Sequence, residues 1–185
     1  VSTMQSSAFS SLENSSSRSV FAKRSSGSLD LYREIQMKEG ELIDYYLKIQ
    51  SNEMNEEDTK KLQKLVSAIK HLSLAAKSIK SVTHTIESLS DADSDEEVKL
   101  VSMMKEQLGV FEKTLKETND ISTLENKMNL DYRQNVEYIY GLIARKVLRK
   151  DELTSVLHLN SQVKHYKHYR IESSSAFEVK EDLKT

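Results

Sequence analysis

A helical pattern of apolar residues runs without interruption from Leu62 to Leu89, in the sequence LQKLVSAIKHLSLAAKSIKSVTHTIESL. Its steps of three and four residues stay on one face of a helix for about seven turns. They are Leu62, Leu65, Ile69, Leu72, Ala76, Ile79 and Ile86, with Thr83 at the one polar step. We therefore predict one long amphipathic helix here, and this helix sets the fold class.

The residue composition favours the same fold class over the whole chain. Among 185 residues there are no Pro and four Gly, so the residues that usually mark β-hairpin turns are scarce. This length suits a single domain and leaves enough chain for one buried core. We expect an all-α protein, folded as an up-and-down antiparallel bundle whose helices are joined by short turns.

Charge and Cys content exclude several classes of function. The 27 Lys and Arg nearly balance the 29 Asp and Glu, and no nucleic-acid-binding motif is present, so we predict no nucleic-acid partner. The absence of Cys excludes a disulfide framework and a thiolate metal site. No apolar run approaches the roughly 18 to 20 residues that span a bilayer, and we expect the given chain to be soluble.

Composition also divides the chain into three parts. Residues 1–28 contain twelve Ser, which favours a partly disordered linker or weak helix, with Phe9, Leu12, Val20 and Phe21 available for a short packed helix. Residues 29–172 are predicted to form the bundle. Residues 173–185 are predicted to be a frayed tail.

Within the bundle we predict five helices, the first from about residue 30 to 51 and the second, at the centre, ending near Leu89. Residues that cap helices precede the first four: Ser28 or Asp30, Asn55 with Asp58, Ser94 with Glu97 as a capping box, and Asn119 with Asp120. The third helix carries the core positions Val98, Val101, Met104, Leu108, Phe111 and Leu115. The fourth carries Leu124, Met128, Tyr132, Val136, Ile139 and Ile143, and the fifth carries Leu153, Val156, Leu157 and Val163.

One candidate binding surface follows the flank of the long helix. Lys70, Lys77, Lys80 and His84 recur beside its apolar face and form what we call the basic ridge. Such a ridge would suit a phosphate group or an acidic partner. The alternative is the solvated border of a core helix, whose lysine stems cover apolar surface while their charges remain in water.

Two sequence patterns imitate metal sites without completing them. Asp91, Asp93 and Asp95 resemble the first ligands of a calcium loop, but the sixth and twelfth positions lack the Gly and Glu that such a loop requires. His165 and His168 lie three residues apart in HYKHYR and have no third ligand nearby in sequence. We predict neither a metal site nor another cofactor.

Enzymatic motifs are missing from the sequence. It contains no phosphate-binding glycine loop, no nucleophile elbow and no HExxH pattern. Its many carboxylates show no pairing in a sheltered setting. We predict that the protein is not an enzyme and has no catalytic residue.

Three segments resemble the PhoU-like cytoplasmic C-terminal domain of bacterial sodium/phosphate cotransporter family proteins. They are KEGELIDYYLKIQ (38–50), AAKSIKSVTHTIESL (75–89) and ELTSVLHLNSQVKHYKH (152–168). Their order and spacing are similar to those of the family, over residues 32–182. The usual Asn-Arg-Glu triplet appears here as Asn160, Ser161 and Gln162, so a role of that Arg does not carry over.

The resemblance also implies a difference from typical PhoU proteins, which bind metal clusters through E-x-x-x-D motifs. The corresponding positions here are Ser73 and Lys77. Serine is a poor substitute for a charged oxygen ligand, and lysine repels a cation. The comparison with the family therefore favours no metal site on this helix.

The resemblance implies a non-catalytic regulatory or structural domain of a sodium-dependent phosphate transporter, at the cytoplasmic face of the inner membrane. Its partner would be the membrane-embedded part of the same polypeptide, upstream of Val1, and a homodimer is a further expectation. One alternative is a free cytosolic helical scaffold for partner binding or dimerisation. Another is a metal-binding phosphate-signalling protein of the ordinary PhoU type.

Overall fold

The computed structural model describes residues 18–50, 55–91, 94–118, 120–150 and 152–177, with side chains in the first helix given for 30 and 32–48. These ranges form five helices: α1 (Arg18–Gln50), α2 (Glu56–Ser90), α3 (Asp95–Glu117), α4 (Ile121–Ala144) and α5 (Leu153–Phe177). The described ranges contain no strand. The predicted all-α class and the up-and-down bundle are confirmed.

Polar caps explain two of the helix starts. Asn55 precedes α2, and its side chain accepts a hydrogen bond from the backbone N–H of Asp58 at 2.8 Å. Asp120 precedes α4 and accepts from the backbone N–H of Ser122 at 3.1 Å. Ser94 precedes α3, but its side chain makes no capping hydrogen bond, so the predicted capping box is wrong.

Both ends of the bundle extend further than predicted. α1 begins at Arg18, which places Ser28 and Asp30 inside the helix rather than at its start. α5 continues to Phe177, and Ser173 is buried, so the predicted frayed tail is wrong for residues 173–177. Phe9, Leu12 and the rest of the predicted linker before residue 18 lie outside the described residues.

Side-chain contacts between helices show how the chain runs up and down. α1 and α2 are antiparallel, because Glu39 contacts Ser73 while Tyr32, earlier in the chain, lies under Lys80. α3 and α4 are antiparallel as well, because Gln107 contacts Asn135 while Glu96, earlier in the chain, contacts Arg145, later in the chain. α4 and α5 are also antiparallel, because Asn135 contacts Asn160 while Asp131, earlier in the chain, contacts Lys167, later in the chain.

The main core lies within α2, α3, α4 and α5. One buried apolar cluster joins all four helices, and it includes Ile79, Ile86, Met104, Ile139 and Val163. The most extensive helix contact is between α2 and α5, and α5 also packs against α3 and α4. The predicted central helix α2 therefore shares the centre with α5, which sequence reasoning placed only as the last helix.

The predicted core positions are correct on some helices and displaced on others. Leu65 on α2 and Val98 in the first turn of α3 are exposed. On α4 the buried positions are Leu124, Met128, Asp131, Asn135, Ile139 and Leu142. Two predicted α4 positions, Tyr132 and Val136, are only half-buried, one residue away from buried polar side chains.

No helix in the described part of the chain combines the length and apolarity that a bilayer crossing requires.

Candidate functional site

The basic ridge lies in solvent on α2. Lys70, Lys77, Lys80 and His84 are all exposed. Lys80 contacts α1 through a cation–π interaction. Its Nζ lies 4.7 Å from the ring centroid of Tyr32. The ridge is thus a solvated edge that borders α1, not a closed pocket.

The two imitations of metal sites stay incomplete in the structure. His165 is exposed and His168 half-buried, and both rings lie beside Tyr169, whose ring also stacks on His71 of α2. Asp91 and Asp95 are exposed at the ends of α2 and α3, and Asp93 lies outside the described residues. Among the described side chains, no three His, Asp or Glu come together in a way that could hold a metal ion.

Sequence reasoning missed the most distinctive feature of the interior, a set of buried and half-buried polar side chains between α3, α4 and α5. We call this set the polar network. Its members are Gln107, Glu112, Asp131, Asn135, Asn160, Tyr166, Lys167 and Arg170.

The first part of the polar network joins α3 to α5. Arg170 donates two hydrogen bonds to Glu112, from Nε to Oε1 and from Nη2 to Oε2, each 2.9 Å long. Tyr166 donates its hydroxyl proton to Oε1 of the same carboxylate at 2.8 Å. A bidentate guanidinium fixes both distance and orientation, so this contact sets how α5 lies on α3.

Burial and charge act against each other at this carboxylate. Burial raises the pKa of Glu112, but the hydrogen bond and positive charge of Arg170 outweigh it, and the pKa lies below its ordinary value. Burial, reinforced by the negative charge of Glu112, raises the pKa of Tyr166. At neutral pH the three groups are therefore a carboxylate, a guanidinium and a neutral phenol.

The second part of the polar network is a buried ion pair between α4 and α5. Lys167 Nζ lies 2.5 Å from Asp131 Oδ2, and the two side chains are 1% and 6% exposed. The ammonium also lies 5.5 Å from the ring centroid of Phe111 on α3. Burial lowers the pKa of Lys167, although the bond to Asp131 and its charge favour the protonated form. An ion pair this deep is costly to break from either side.

The third part of the polar network is a chain of amides. Gln107 on α3 and Asn135 on α4 exchange two hydrogen bonds of 3.0 and 2.9 Å. Asn135 also donates to the side chain of Asn160 at 2.9 Å, and Asn160 donates to the backbone carbonyl of Tyr132 at 3.1 Å. The chain ties α5 to the backbone of α4, so it fixes the register of these helices.

The polar network is occupied by its own side chains. A surface crevice beside it is lined by Met128, Asp131, Tyr132, Asn135, Asn160, Val163, Lys164 and Lys167, and it is too tight to hold a water molecule. Its charges are paired within the protein, and each polar atom described above has a partner there. The arrangement is suited to holding three helices in one alignment, not to binding a small molecule.

A signal for the polar network was present in the sequence. On α4 the steps 124, 128, 131, 135, 139 and 142 keep a core spacing, with polar residues at 131 and 135. On α5 the buried positions 156, 160, 163, 167 and 171 do the same, with Asn160 and Lys167 at core steps. Polar residues that continue an apolar spacing indicate buried hydrogen bonds.

The resemblance predicts that Ser73 and Lys77 stand where PhoU proteins have metal ligands, and this correspondence stays a prediction. Ser73 is buried and donates a hydrogen bond to Glu39 Oε2 of α1 at 2.5 Å, while Lys77 is exposed.

Comparisons with protein-family models, with curated proteins and with solved structures found no match to this chain.

Proposed function

We propose that this helical bundle is a non-catalytic regulatory or structural domain of a sodium-dependent phosphate transporter, acting through protein contacts. Its place would be the cytoplasmic face of the inner membrane, next to the membrane-embedded part of the same polypeptide. The assignment of the domain to a transporter rests on the sequence resemblance. The mode of action, by contact, rests on the surface of α1.

The observation that carries the contact mechanism is the apolar surface of α1. Met37, Tyr45 and Leu47 are 62%, 60% and 57% exposed, and Ile43 is exposed as well. α1 packs extensively against α2 alone among the described helices, so much of its circumference faces solvent. We propose these side chains as the contact surface, because large exposed apolar patches mark protein interaction sites.

The packing of the three similar segments supports the transporter as the partner. The first lies on α1, the second on α2 and the third largely on α5. Glu39 in the segment 38–50 contacts Ser73, which lies two residues before the segment 75–89. Ile79 in the segment 75–89 shares the main core with Val156 and Val163 in the segment 152–168. Segments that identify a domain are expected to meet in its interior.

The test uses the complete coding sequence that contains this chain. We expect several apolar spans of about 20 residues ahead of the bundle. In vesicles, we expect the product to take up phosphate only with a sodium gradient. Tyr45→Ser with Leu47→Ser should change the uptake rate or its regulation, because they remove apolar contact area from α1 without touching the core.

Tyr140→Ser on α4 is the matched control, since Tyr140 is 53% exposed on a different helix. It should leave uptake unchanged. A coding sequence without apolar spans would refute the transporter proposal and favour the free scaffold. Equal effects of the α1 and α4 variants would refute contact through α1.

A further inference from the structure

α2 carries charge of one sign over most of its length. From Thr59 to Ile86 it contains six Lys and no Asp or Glu. Two of these residues, Lys70 and Lys77, are exposed and make no ion pair with a described side chain. The whole chain has a net charge of -2, so this positive charge belongs to α2 and not to the protein at large.

Exposed apolar side chains stand close to these lysines. Ile43 and Leu47, one turn apart on α1, are 40% and 57% exposed. The hydrogen bond between Glu39 and Ser73 sets the two antiparallel helices level at that point. Ile43 follows Glu39 by four residues and Lys70 precedes Ser73 by three, so Ile43 and Lys70 are roughly level along the helix axes.

Helix geometry places the lysines and the apolar side chains on one side of the α1–α2 pair. On α1, Ile43 and Leu47 lie about 40° and 80° past the residue that contacts α2. On α2, Lys77 and Lys70 lie about 40° and 60° past the residue that contacts α1. Antiparallel helices turn in opposite senses along one viewing direction, so all four side chains share one side, which we call the mixed face. Ile79 of the main core lies about 120° the other way around α2, so the mixed face points away from the core.

We propose that the mixed face binds the surface of a membrane that contains anionic lipids. The ammonium groups of Lys70 and Lys77 contact lipid phosphates, and Ile43 and Leu47 enter the boundary between headgroups and acyl chains. Lysines alone suit any polyanion, but exposed apolar side chains beside them favour an amphiphilic surface. This inference goes beyond the proposed function, since the mixed face belongs to the bundle whatever polypeptide carries it.

Co-sedimentation of the full chain with vesicles tests the membrane partner. Vesicles of phosphatidylglycerol and phosphatidylcholine in equal amounts should bind the chain at least about 20-fold more tightly than vesicles of phosphatidylcholine alone. Lys70→Gln with Lys77→Gln should weaken binding to the anionic vesicles by about 20-fold, since each lysine near such a surface contributes a factor of about five. Equal binding to both kinds of vesicle, or no binding to the anionic ones, would overturn the proposal.

Lys64→Gln with Lys99→Gln is the matched control for the lysines. Both residues are exposed, Lys99 is on α3, and Lys64 lies about 120° around α2 from Lys70. At about 0.1 M salt, where distant charges are screened, this control should weaken binding by no more than about twofold. Equal losses in the two pairs of variants would overturn the proposal, because net charge and not the mixed face would then set the binding.

The apolar part of the mixed face is tested by Ile43→Ser with Leu47→Ser. This variant should weaken binding to the anionic vesicles at least about fivefold. Its matched control is Met37→Ser with Tyr45→Ser, two exposed side chains that lie well over 90° around α1 from Ile43. The control should weaken binding by no more than about twofold.

A soluble polyanion is the competing partner, and heparin is the probe for it. Heparin binding as tight as vesicle binding, with no effect of the apolar variant on either, would overturn the membrane as the partner. The vesicles contain no transporter, so failure of this test leaves the proposed function untouched. A coding sequence without apolar spans would, in turn, leave the vesicle result untouched.

Discussion

The contact of α1 with α2 and the packing of α3, α4 and α5 represent two ways of joining helices in one small protein. In the described part of α1, residues 32–48, the contact with α2 includes the buried Tyr32 ring, a hydrogen bond between Ser73 and Glu39, and Lys80 over the Tyr32 ring. The other three helices share an apolar core and a buried polar network that crosses every pair of them. The first contact, where it is described, is centred on one ring, whereas the second fixes the alignment of three helices through paired polar side chains.

The difference follows from what each interface leaves behind when it opens. Separating α1 from α2 exposes the Tyr32 ring and Ala76 and leaves Glu39 and Lys80 in water, where both are well solvated. Partial opening between α4 and α5 breaks the ion pair and leaves the Lys167 ammonium without its partner in a largely apolar surrounding. A buried unpaired charge costs several kcal/mol, so the polar network opposes partial opening and sliding.

The largest effect is expected from breaking the buried ion pair on one side. Asp131→Leu leaves the Lys167 ammonium buried without its counter-charge and should lower the free energy of unfolding by about 3 to 5 kcal/mol. Urea denaturation followed by circular dichroism measures this loss. Asp131→Leu with Lys167→Met should recover most of it, since no charge is then buried.

Lys60→Met is the matched control for the ion pair. Lys60 pairs with Glu56 on the surface, with both side chains more than half exposed. Its loss should change stability by at most about 0.5 kcal/mol. If the double variant were as unstable as Asp131→Leu alone, the cost would come from packing and not from the unpaired charge.

A smaller, pH-dependent effect is expected at Glu112. Its pKa lies below the ordinary value of 4.5, so its stabilising effect is fully present above pH 4.5 and is lost as pH falls below it. Glu112→Gln removes the charge facing Arg170 and should cost about 2 kcal/mol near pH 7.

Urea midpoints of the parent and of Glu112→Gln, measured from pH 7 down to pH 3, check this sign. The gap between the two proteins should shrink below pH 4.5 because the parent carboxylate becomes protonated. A gap that stays constant with pH would mean that the Gln variant is weakened by shape alone.

Much of the fold could be predicted from the sequence because apolar spacing and caps are local signals. The spacing through α2 and the caps Asn55 and Asp120 place helices where the structure has them. The start of α1 at Arg18 could not be predicted that way. Its serines indicate too little burial for independent structure, but extending an existing helix needs only one further hydrogen bond per residue.

The interior was harder to predict, since the spacing marks buried polar positions on each helix but not which of them pair across helices. Asp131 and Lys167 each stand at a core step of their own helix, and a polar residue there reads as an error in the pattern. The predicted stripe of α4 instead passes through Tyr132 and Val136, the apolar neighbours of Asp131 and Asn135. Only the meeting of α4 with α5 shows that the two charges neutralise each other.

The smallest effect is expected on the basic ridge and separates its two lysines. Lys80→Glu removes the ammonium from the Tyr32 ring and should weaken the docking of α1 by about 0.5 to 1 kcal/mol. Lys77→Glu, three residues earlier and exposed, should change it by no more than about 0.3 kcal/mol. Hydrogen exchange in α1 measures both, and equal effects would indicate general charge repulsion instead of a ring contact.

The contrast between the two kinds of packing is tested most directly by two fluorescent reporters in separate proteins. The chain has no Trp, so Tyr32→Trp reports the docking of α1 and Tyr132→Trp reports the pairing of α4 with α5. In a urea titration, we predict that the Tyr32→Trp signal changes at a clearly lower urea concentration than the Tyr132→Trp signal. Coincident transitions in the two proteins, matching loss of the helical signal, would contradict the account, because α1 would then unfold only together with the bundle.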